Sequence, residues 1–397
     1  MTVRALPSEA WRRNVWALTL IVFVAFVGFQ FFSPFLPLYV HELGVTDPGR
    51  IALWSGLLSA VTPAVSGLLA PLFGRLADRF GGKLMLIRSL AGFVVIIAAM
   101  GLVTSVEQLL VARLLQGLFA GFTPMAMAVA SVSAPRDKIP AAIGMVQSAQ
   151  MLSLAIGPLA GGYVASHFGI RYAFFVTAGF CLLALIALIV LFDEVSPGAP
   201  GAARAPASRL PLGQLVRYPN FLMVVALLLI AQFLERGLVL LIPLQVARLP
   251  DVVAIAATSG VIISVAAIAA TLSANVTARL AREFPSARLL MLSLLVGGPL
   301  CLAMGLASGW RSLLALCLGG AITLAYSLGA FLVPGEHRGA AFGWLALGVQ
   351  IGTAASPLVT GALAAVSLPG AFLFFGGLAW VAAGLLAFGW RRPQPAR

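Results

Sequence analysis

The chain has 397 residues, of which 61% are hydrophobic and only 9% charged, and its formal net charge is +13. Soluble domains average about 45–50% apolar and about 25% charged residues, so an ordinary globular domain is excluded. The apolar excess is gathered into runs long enough to cross a hydrocarbon core about 30 Å thick at about 1.5 Å per helical residue, and the fold class expected is an all-α, multi-pass membrane protein.

In chain order, apolar segments fall near 14–40, 52–73, 84–104, 108–132, 141–165 and 171–192. The first is preceded by Arg4, Arg12 and Arg13 and runs to about residue 40 without a small-x-small cleavage site, so it reads as a retained helix rather than a leader. Residues 193–219 then carry Pro at 197, 200, 206, 211 and 219, a density that neither holds a helix nor buries much, and they read as a cytoplasmic linker. Six more segments follow near 220–246, 254–278, 288–307, 311–333, 340–365 and 370–390. The expected organisation is a six-helix bundle at 1–192, the linker at 193–219, and a second six-helix bundle at 220–397.

The basic excess follows the same alternation. Of the 25 Lys and Arg, nineteen lie at the two termini and in alternate loops, whereas the opposite loops carry only Arg50, Arg171, Arg248 and Arg311. That asymmetry is the positive-inside signal and puts both termini in the cytoplasm. It reads as topology with some attraction to anionic lipid, not as nucleic-acid binding. The three cysteines, Cys181, Cys301 and Cys317, lie apart inside apolar runs, and His41, His167 and His337 stand singly, so neither a disulfide framework nor a metal site is indicated.

The two halves repeat one another weakly. Pro37-Leu38 returns as Pro243-Leu244 at an offset of 206, and Gly74-Arg75-Leu76-Ala77 as Ala278-Arg279-Leu280-Ala281 at 204. Ala141-Ala142-Ile143-Gly144 returns as Ala340-Ala341-Phe342-Gly343, and Gly157-Pro158 as Ser356-Pro357, both at 199. Slowly drifting offsets in constant order are what a duplicated six-helix unit produces, the architecture in which a substrate site lies between two halves near mid-membrane.

Four motifs carry a resemblance. Gly74-Arg75-Leu76-Ala77-Asp78-Arg79-Phe80-Gly81-Gly82-Lys83, a charged loop between the second and third segments, resembles the loop between helices 2 and 3 of the major facilitator superfamily of transporters. Arg113-Leu114-Leu115-Gln116-Gly117 resembles that family's intramembrane Arg followed by Gln-Gly on helix 4. Ser153 through Gly162, with Gly157-Pro158 and Gly161-Gly162, resembles the antiporter signature of its exporters. Pro34-Phe35-Leu36-Pro37-Leu38-Tyr39 resembles the drug:proton antiporter pattern on helix 1. Together with Leu43-Gly44-Val45 and Trp54-Ser55-Gly56, these motifs are similar to the 12-helix drug:proton antiporters, and among them to the MdtG group of multidrug-resistance proteins. The chain departs from the pattern at Ser153, in place of the signature's first Gly, and at Gly82, in place of an Arg.

The resemblance implies roles. Gly74, Asp78, Arg79, Gly81 and Lys83 would form a cytoplasmic latch: Gly74 permits close helix approach, and Asp78 caps the N-terminus of the eleventh helix in one of two states. The copy at 278–287 lacks the acid, with Arg282 and Glu283 in the places of Asp78 and Arg79, so the latch is one-sided. Gly157 and Pro158 would kink the fifth helix, and Gly161 and Gly162 would offer a close-packing face.

Charges at mid-membrane cost at least about 2.5–3.5 kcal/mol each on insertion scales, so those inside apolar runs are candidates for function. They are Arg113, Glu235 and Arg236. Adjacent helical residues diverge by about 100°, which disfavours a Glu235–Arg236 pair. Glu235 is read either as the proton-coupling or cation-binding carboxylate or as a structural acid; Arg113 either as a packing residue or as a partner for an anionic substrate or for Glu235. Phe26, Gln30, Gln116, Gln147, Gln150, Gln232, Tyr326 and Gln350 are candidate cavity residues, each equally readable as a helix-packing contact.

The function expected is secondary active efflux of small amphipathic compounds by proton antiport and alternating access, in a bacterial inner membrane; the alternative is a dedicated exporter of one endogenous metabolite such as a siderophore. No G-x-x-x-x-G-K-[ST] phosphate loop occurs, so the proton gradient is the expected energy source, with no cofactor and no enzymatic reaction. The partners expected are the substrate, protons and the bilayer, with the protein monomeric.

Overall fold

The computed structural model describes residues 10–135, 138–193, 221–280, 283–284, 286–317 and 338–389. Among these residues eleven helices are long and apolar enough to span a membrane, and no strand occurs. The first span is α1 (Ala10–Phe32), a 3-10 turn at Ser33–Phe35 and α2 (Leu36–Glu42). The tightening falls at Pro34, which has no N–H to continue the α ladder. Then come α3 (Pro48–Phe80), α4 (Gly82–Leu102), α5 (Val106–Phe119), α6 (Phe122–Ser133), α7 (Ile139–Phe168) and α8 (Ile170–Leu191). The later helices are α9 (Phe221–Val246), α10 (Ile255–Leu280), α11 (Ser286–Gly305), α12 (Trp310–Cys317), α13 (Arg338–Val366) and α14 (Leu368–Gly389). The expected segment at 311–333 is described only as far as Cys317, and most of the expected linker lies outside the described residues.

Two expectations are corrected. The charged stretch at 74–83 is not a loop: α3 continues through Asp78 to Phe80, α4 begins at Gly82, and the whole reversal falls on Gly81. Gly81 achieves this at φ 90°, in the left-handed region that costs a glycine little. The segment at 108–132 is not one helix either. It breaks at Ala120–Gly121, with Gly121 at φ 101°.

The chain divides into two compact units: Met1–Gly44 with Val61–Arg204, and Val45–Ala60 with Ala205–Arg397. The N-terminal half of α3 therefore belongs with the second unit. The cause is a glycine seam against α13, where a Cβ on Gly361 would stand 2.9 Å from the Gly56 Cα and 2.6 Å from the Ala52 carbonyl. Ala52 sits in the apolar core of that unit with Leu228, Leu234, Phe372 and Phe375, all fully or almost fully buried.

In the first unit α1 packs against both α7 and α8, and α4 against α8. Phe32, Phe35, Tyr39 and Phe174 are fully buried there, and the Tyr39 hydroxyl donates to the Met100 carbonyl at 2.7 Å. That bond fixes the end of the first span to the end of α4.

Candidate functional site

Arg113 lies on α5, 6% exposed, with its guanidinium 4.9 Å from the centre of the Phe32 ring. Its Nη1 donates to Gln116 Oε1 at 3.1 Å, one helical turn on. Thr62 of α3 donates to the Arg113 carbonyl at 2.9 Å and lies 3.4 Å from the same Gln116 oxygen. Nε and Nη2 of Arg113 are buried with no partner among the described residues. The structure thus brings Arg113 and Gln116 together, with Thr62 and Phe32 added by tertiary packing. Chemically the cluster is a desolvated cation with two open donors, suited to a carboxylate, another oxyanion or a bridging water.

The break between α5 and α6 immediately follows this cluster. Arg88, reaching from α4, donates to the carbonyls of Leu118 at 3.1 Å, Phe119 at 3.4 Å and Ala120 at 2.8 Å. These are carbonyls left without helical partners where α5 ends, and a cation at a helix C-terminus is also favoured by the helix dipole. Phe73 and Phe119 flank the same guanidinium, at 4.5 and 5.9 Å. By sequence alone Arg88 reads as one of the cytoplasmic loop charges, and its capping role emerges only from the packing of α4 on the end of α5. The available signal was its position well inside the apolar run that begins at 84.

The stretch Ser153–Gly162 of α7 packs on the backbone of α1. Ser153 donates to the carbonyls of Phe23 at 3.0 Å and Ala149 at 2.7 Å. A Cβ on Gly157 would stand 3.0 Å from the Val27 carbonyl and against Cβ of Gln30; one on Gly161 would collide with the Phe31 backbone. Pro158 and Gly162 are buried in the same stretch, and α7 runs unbroken through Pro158.

On α9, Glu235 is half-buried and accepts from Gln232 Nε2 at 3.1 Å. No ion pair links Glu235 and Arg236. Arg236 Nε is buried without a described partner.

The latch residues are placed as follows. Gly74, Asp78 and Arg79 are exposed, and open space surrounds the position a Gly74 Cβ would take. Arg79 stacks on its neighbour Phe80 at 5.2 Å. Lys83 reaches the end of α8, donating to the carbonyls of Phe192 at 2.6 Å and Ile189 at 3.4 Å. Close approach occurs instead at Gly82, where a Cβ would run into Val129.

Of the remaining cavity candidates, Phe26 belongs to an aromatic cluster with Phe29 and Phe122, its ring centre 5.6 and 6.4 Å from theirs. Gln30 is half-buried beside Gly157; Gln147 and Gln350 are exposed. Gln150 is half-buried with its Nε2 unpartnered. Tyr326 lies outside the described residues. No group of three or more His, Cys, Asp or Glu able to hold a metal occurs among the described residues.

Residues 18–331 match the model of the Major Facilitator Superfamily. The chain is 32% identical over 373 residues to "Multidrug resistance protein MdtG" of Salmonella dublin, covering 90% of this chain and 91% of that protein. It is also 32% identical over 370 residues to the protein of the same name from Citrobacter koseri, with the same coverage. Among solved structures, a bacterial homolog of the human lysosomal transporter Spinster, in an inward-facing and unoccupied conformation, superposes with a TM-score of 0.75 at 17% identity, over 98% of this chain and 100% of that one. The nucleoside transporter NupG superposes at 0.73 with 13% identity, over 95% and 100%. Spanning helices, duplicated halves, the Arg113–Gln116 pair and the α1–α7 seam all agree with these matches: the chain belongs to the major facilitator superfamily, a family of non-enzymatic membrane transporters of small molecules.

Proposed function

We propose that this transporter is an exporter of small amphipathic compounds, driven by proton antiport and alternating access, and that it works as a monomer in the bacterial inner membrane with both termini in the cytoplasm. The observation that carries the efflux reading is the likeness over nine-tenths of the chain to proteins named for multidrug resistance. The Gly-Pro seam of α7 on α1 supports it. Two glycines there bring the α1 and α7 backbones into close approach, a feature of tightly packed membrane helices.

In this reading Glu235 is the carboxylate that exchanges a proton for substrate, with Gln232 holding its Oε2 from one turn away. Asp78 and Arg79, exposed in this conformation, are the charged half of a cytoplasmic latch that engages in the other state. Energy enters as the proton gradient and no cofactor takes part.

The test is efflux of a lipophilic fluorescent cation from cells producing the protein, with and without a protonophore. Efflux that the protonophore abolishes is the expected result. Efflux that persists unchanged after collapse of the gradient refutes proton coupling, and no efflux of any amphipathic dye refutes the multidrug reading.

A second reading, a dedicated exporter of an endogenous anionic metabolite such as a siderophore, is favoured by one observation: Arg113 is buried with two unpartnered nitrogens and no described acid beside it. Thermal stabilisation of the purified protein by siderophores and not by cationic drugs decides for it.

A further inference from the structure

Away from the Arg113 cluster, the first unit carries a groove of about 1120 Å³ at one end of three helices. Trp16, Leu20 and Phe23 of α1 line it, as do Ala149 and Leu152 of α7 and Val190 of α8. The lining comes from the start of α1, the first half of α7 and the end of α8. By alternation of the spans these lie at one membrane face, the one at which the basic residues concentrate. Trp16 and Val190 are 65% and 70% exposed, so the apolar wall is open to whatever surrounds the helix ends. In a membrane-spanning chain that surrounding medium is lipid, and Trp at such a depth belongs to the interfacial belt.

Among the described residues, the charges lining the groove are two and opposite. Arg13 and Asp193 line it and pair with each other while their side chains stay 68% and 59% exposed, so both still face outward. Their position is built rather than incidental. Asn14, 1% exposed, donates from Nδ2 to the Asp193 carbonyl at 3.0 Å and accepts from the Asp193 N–H at 3.3 Å. Lys83 holds the preceding carbonyl, that of Phe192, at 2.6 Å. The end of α8 is thereby fixed to the starts of α1 and α4, with Asp193 presented at the rim.

An apolar trough with one cation and one anion at its mouth complements an amphiphile carrying acyl chains, a phosphate and a primary ammonium. We propose that this groove is a binding site for phosphatidylethanolamine of the adjoining leaflet, its phosphate on Arg13, its ammonium on Asp193, and an acyl chain along Trp16, Leu20 and Val190. The ammonium donates hydrogen bonds to the carboxylate, which the quaternary head of phosphatidylcholine cannot do, and phosphatidylglycerol offers Asp193 no cation at all.

Gly144 gives a clean probe. It lines the groove, and nothing lies within 4 Å of where its Cβ would be, so a larger side chain there fills the groove without touching the helix packing. The full-length protein, purified in detergent, is titrated with phosphatidylethanolamine, phosphatidylcholine or phosphatidylglycerol, and retained lipid is read by native mass spectrometry. The wild type is expected to retain phosphatidylethanolamine about 1.5- to 5-fold more than phosphatidylcholine, the range set by one exposed ion pair. Gly144→Leu should lose the retained lipid while its melting temperature in detergent alone is unchanged. Asp193→Asn, which keeps the backbone bonds to Asn14, should bind the two lipids equally. Equal retention of the lipids by the wild type overturns the proposal, as does undiminished retention by Gly144→Leu. Displacement of the lipid by a lipophilic cationic dye overturns it too, since the groove would then belong to substrate. Should Gly144→Leu not fold, the Asp193→Asn comparison decides alone.

Discussion

The hydroxyl of Ser356 donates to the carbonyl of Phe233 in the second unit, at the place where Gly157 meets the carbonyl of Val27 in the first. Ser356 is offset from Gly157 by 199 residues and Phe233 from Val27 by 206, the same offsets that relate Gly157-Pro158 to Ser356-Pro357 and Pro37 to Pro243. One turn earlier Ser153 donates to the Phe23 carbonyl, while its counterpart Gly352 lies against the Leu229 carbonyl. One turn later Gly161 lies on Phe31, and its counterpart Thr360 crowds Gly237, where a Cβ would stand 2.7 Å from Oγ1. The two seams share a register. They exchange glycine for hydroxyl at successive turns, because either choice lets two helix backbones approach.

Gly161→Val should therefore be among the most damaging single changes in the first unit. Its Cβ enters the backbone of Phe31, which cannot give way as a flexible side-chain end would. Overpacking of this kind costs about 1–3 kcal/mol or more, and a lowered melting temperature of the purified protein is the measurement. The same substitution at Gly144, where there is open space, should leave it unchanged.

Arg88→Met removes the donor from three carbonyls at the break between α5 and α6. The Phe119 and Ala120 carbonyls are part-buried and the Leu118 carbonyl exposed, so the loss falls mainly on the first two, where an unsatisfied buried polar group costs about 1–3 kcal/mol. The expected result is a clear loss of thermal stability, partly restored by Arg88→Lys, whose single ammonium reaches fewer of these acceptors.

Glu235→Gln should leave the helix packing intact, since the amide is nearly isosteric and Gln232 can still donate to its oxygen. Transport driven by a pH gradient in proteoliposomes should fall by an order of magnitude or more, general acid–base groups being worth about 10²–10⁴-fold where a proton must move. Gradient-driven transport equal to the wild type would remove Glu235 from the coupling role.

Asp78→Asn should reduce transport without lowering the amount of protein in the membrane. Asp78 is exposed, with no ion-pair partner among the described residues, so its loss costs this conformation little. Western quantification of the membrane fraction beside an efflux assay separates the two effects. A parallel fall of both would make Asp78 a folding residue.

Arg113→Lys keeps the charge but not the fork. The stack on Phe32 and the bond to Gln116 use the planar guanidinium, which a compact ammonium does not reproduce. Affinity for an anionic substrate should drop about tenfold or more, as measured by binding to purified protein, while a substrate that needs only a buried cation would bind unchanged.

The positions of the spans, the internal duplication and the family are legible from residue order alone. Each depends on local chemistry: runs of apolar residues must be helical in lipid because every backbone group has to be satisfied within its own segment, and the residues that thin or kink a helix, such as Gly157-Pro158, act wherever they stand. The positions of the spans follow from that alone, although the second runs on to Phe80 and the fourth breaks at Ala120–Gly121. What the polar residues do depends on packing between helices. Arg88 is a cap because another helix happens to end beside it, Lys83 serves the end of α8, and among the described residues no acid reaches Arg113. The charged stretch at 74–83 looked like a loop because charge is expensive in lipid, yet α3 carries it in its last turns and turns on Gly81 alone. A side chain's partners come from elsewhere in the chain, and spacing along one helix does not contain them.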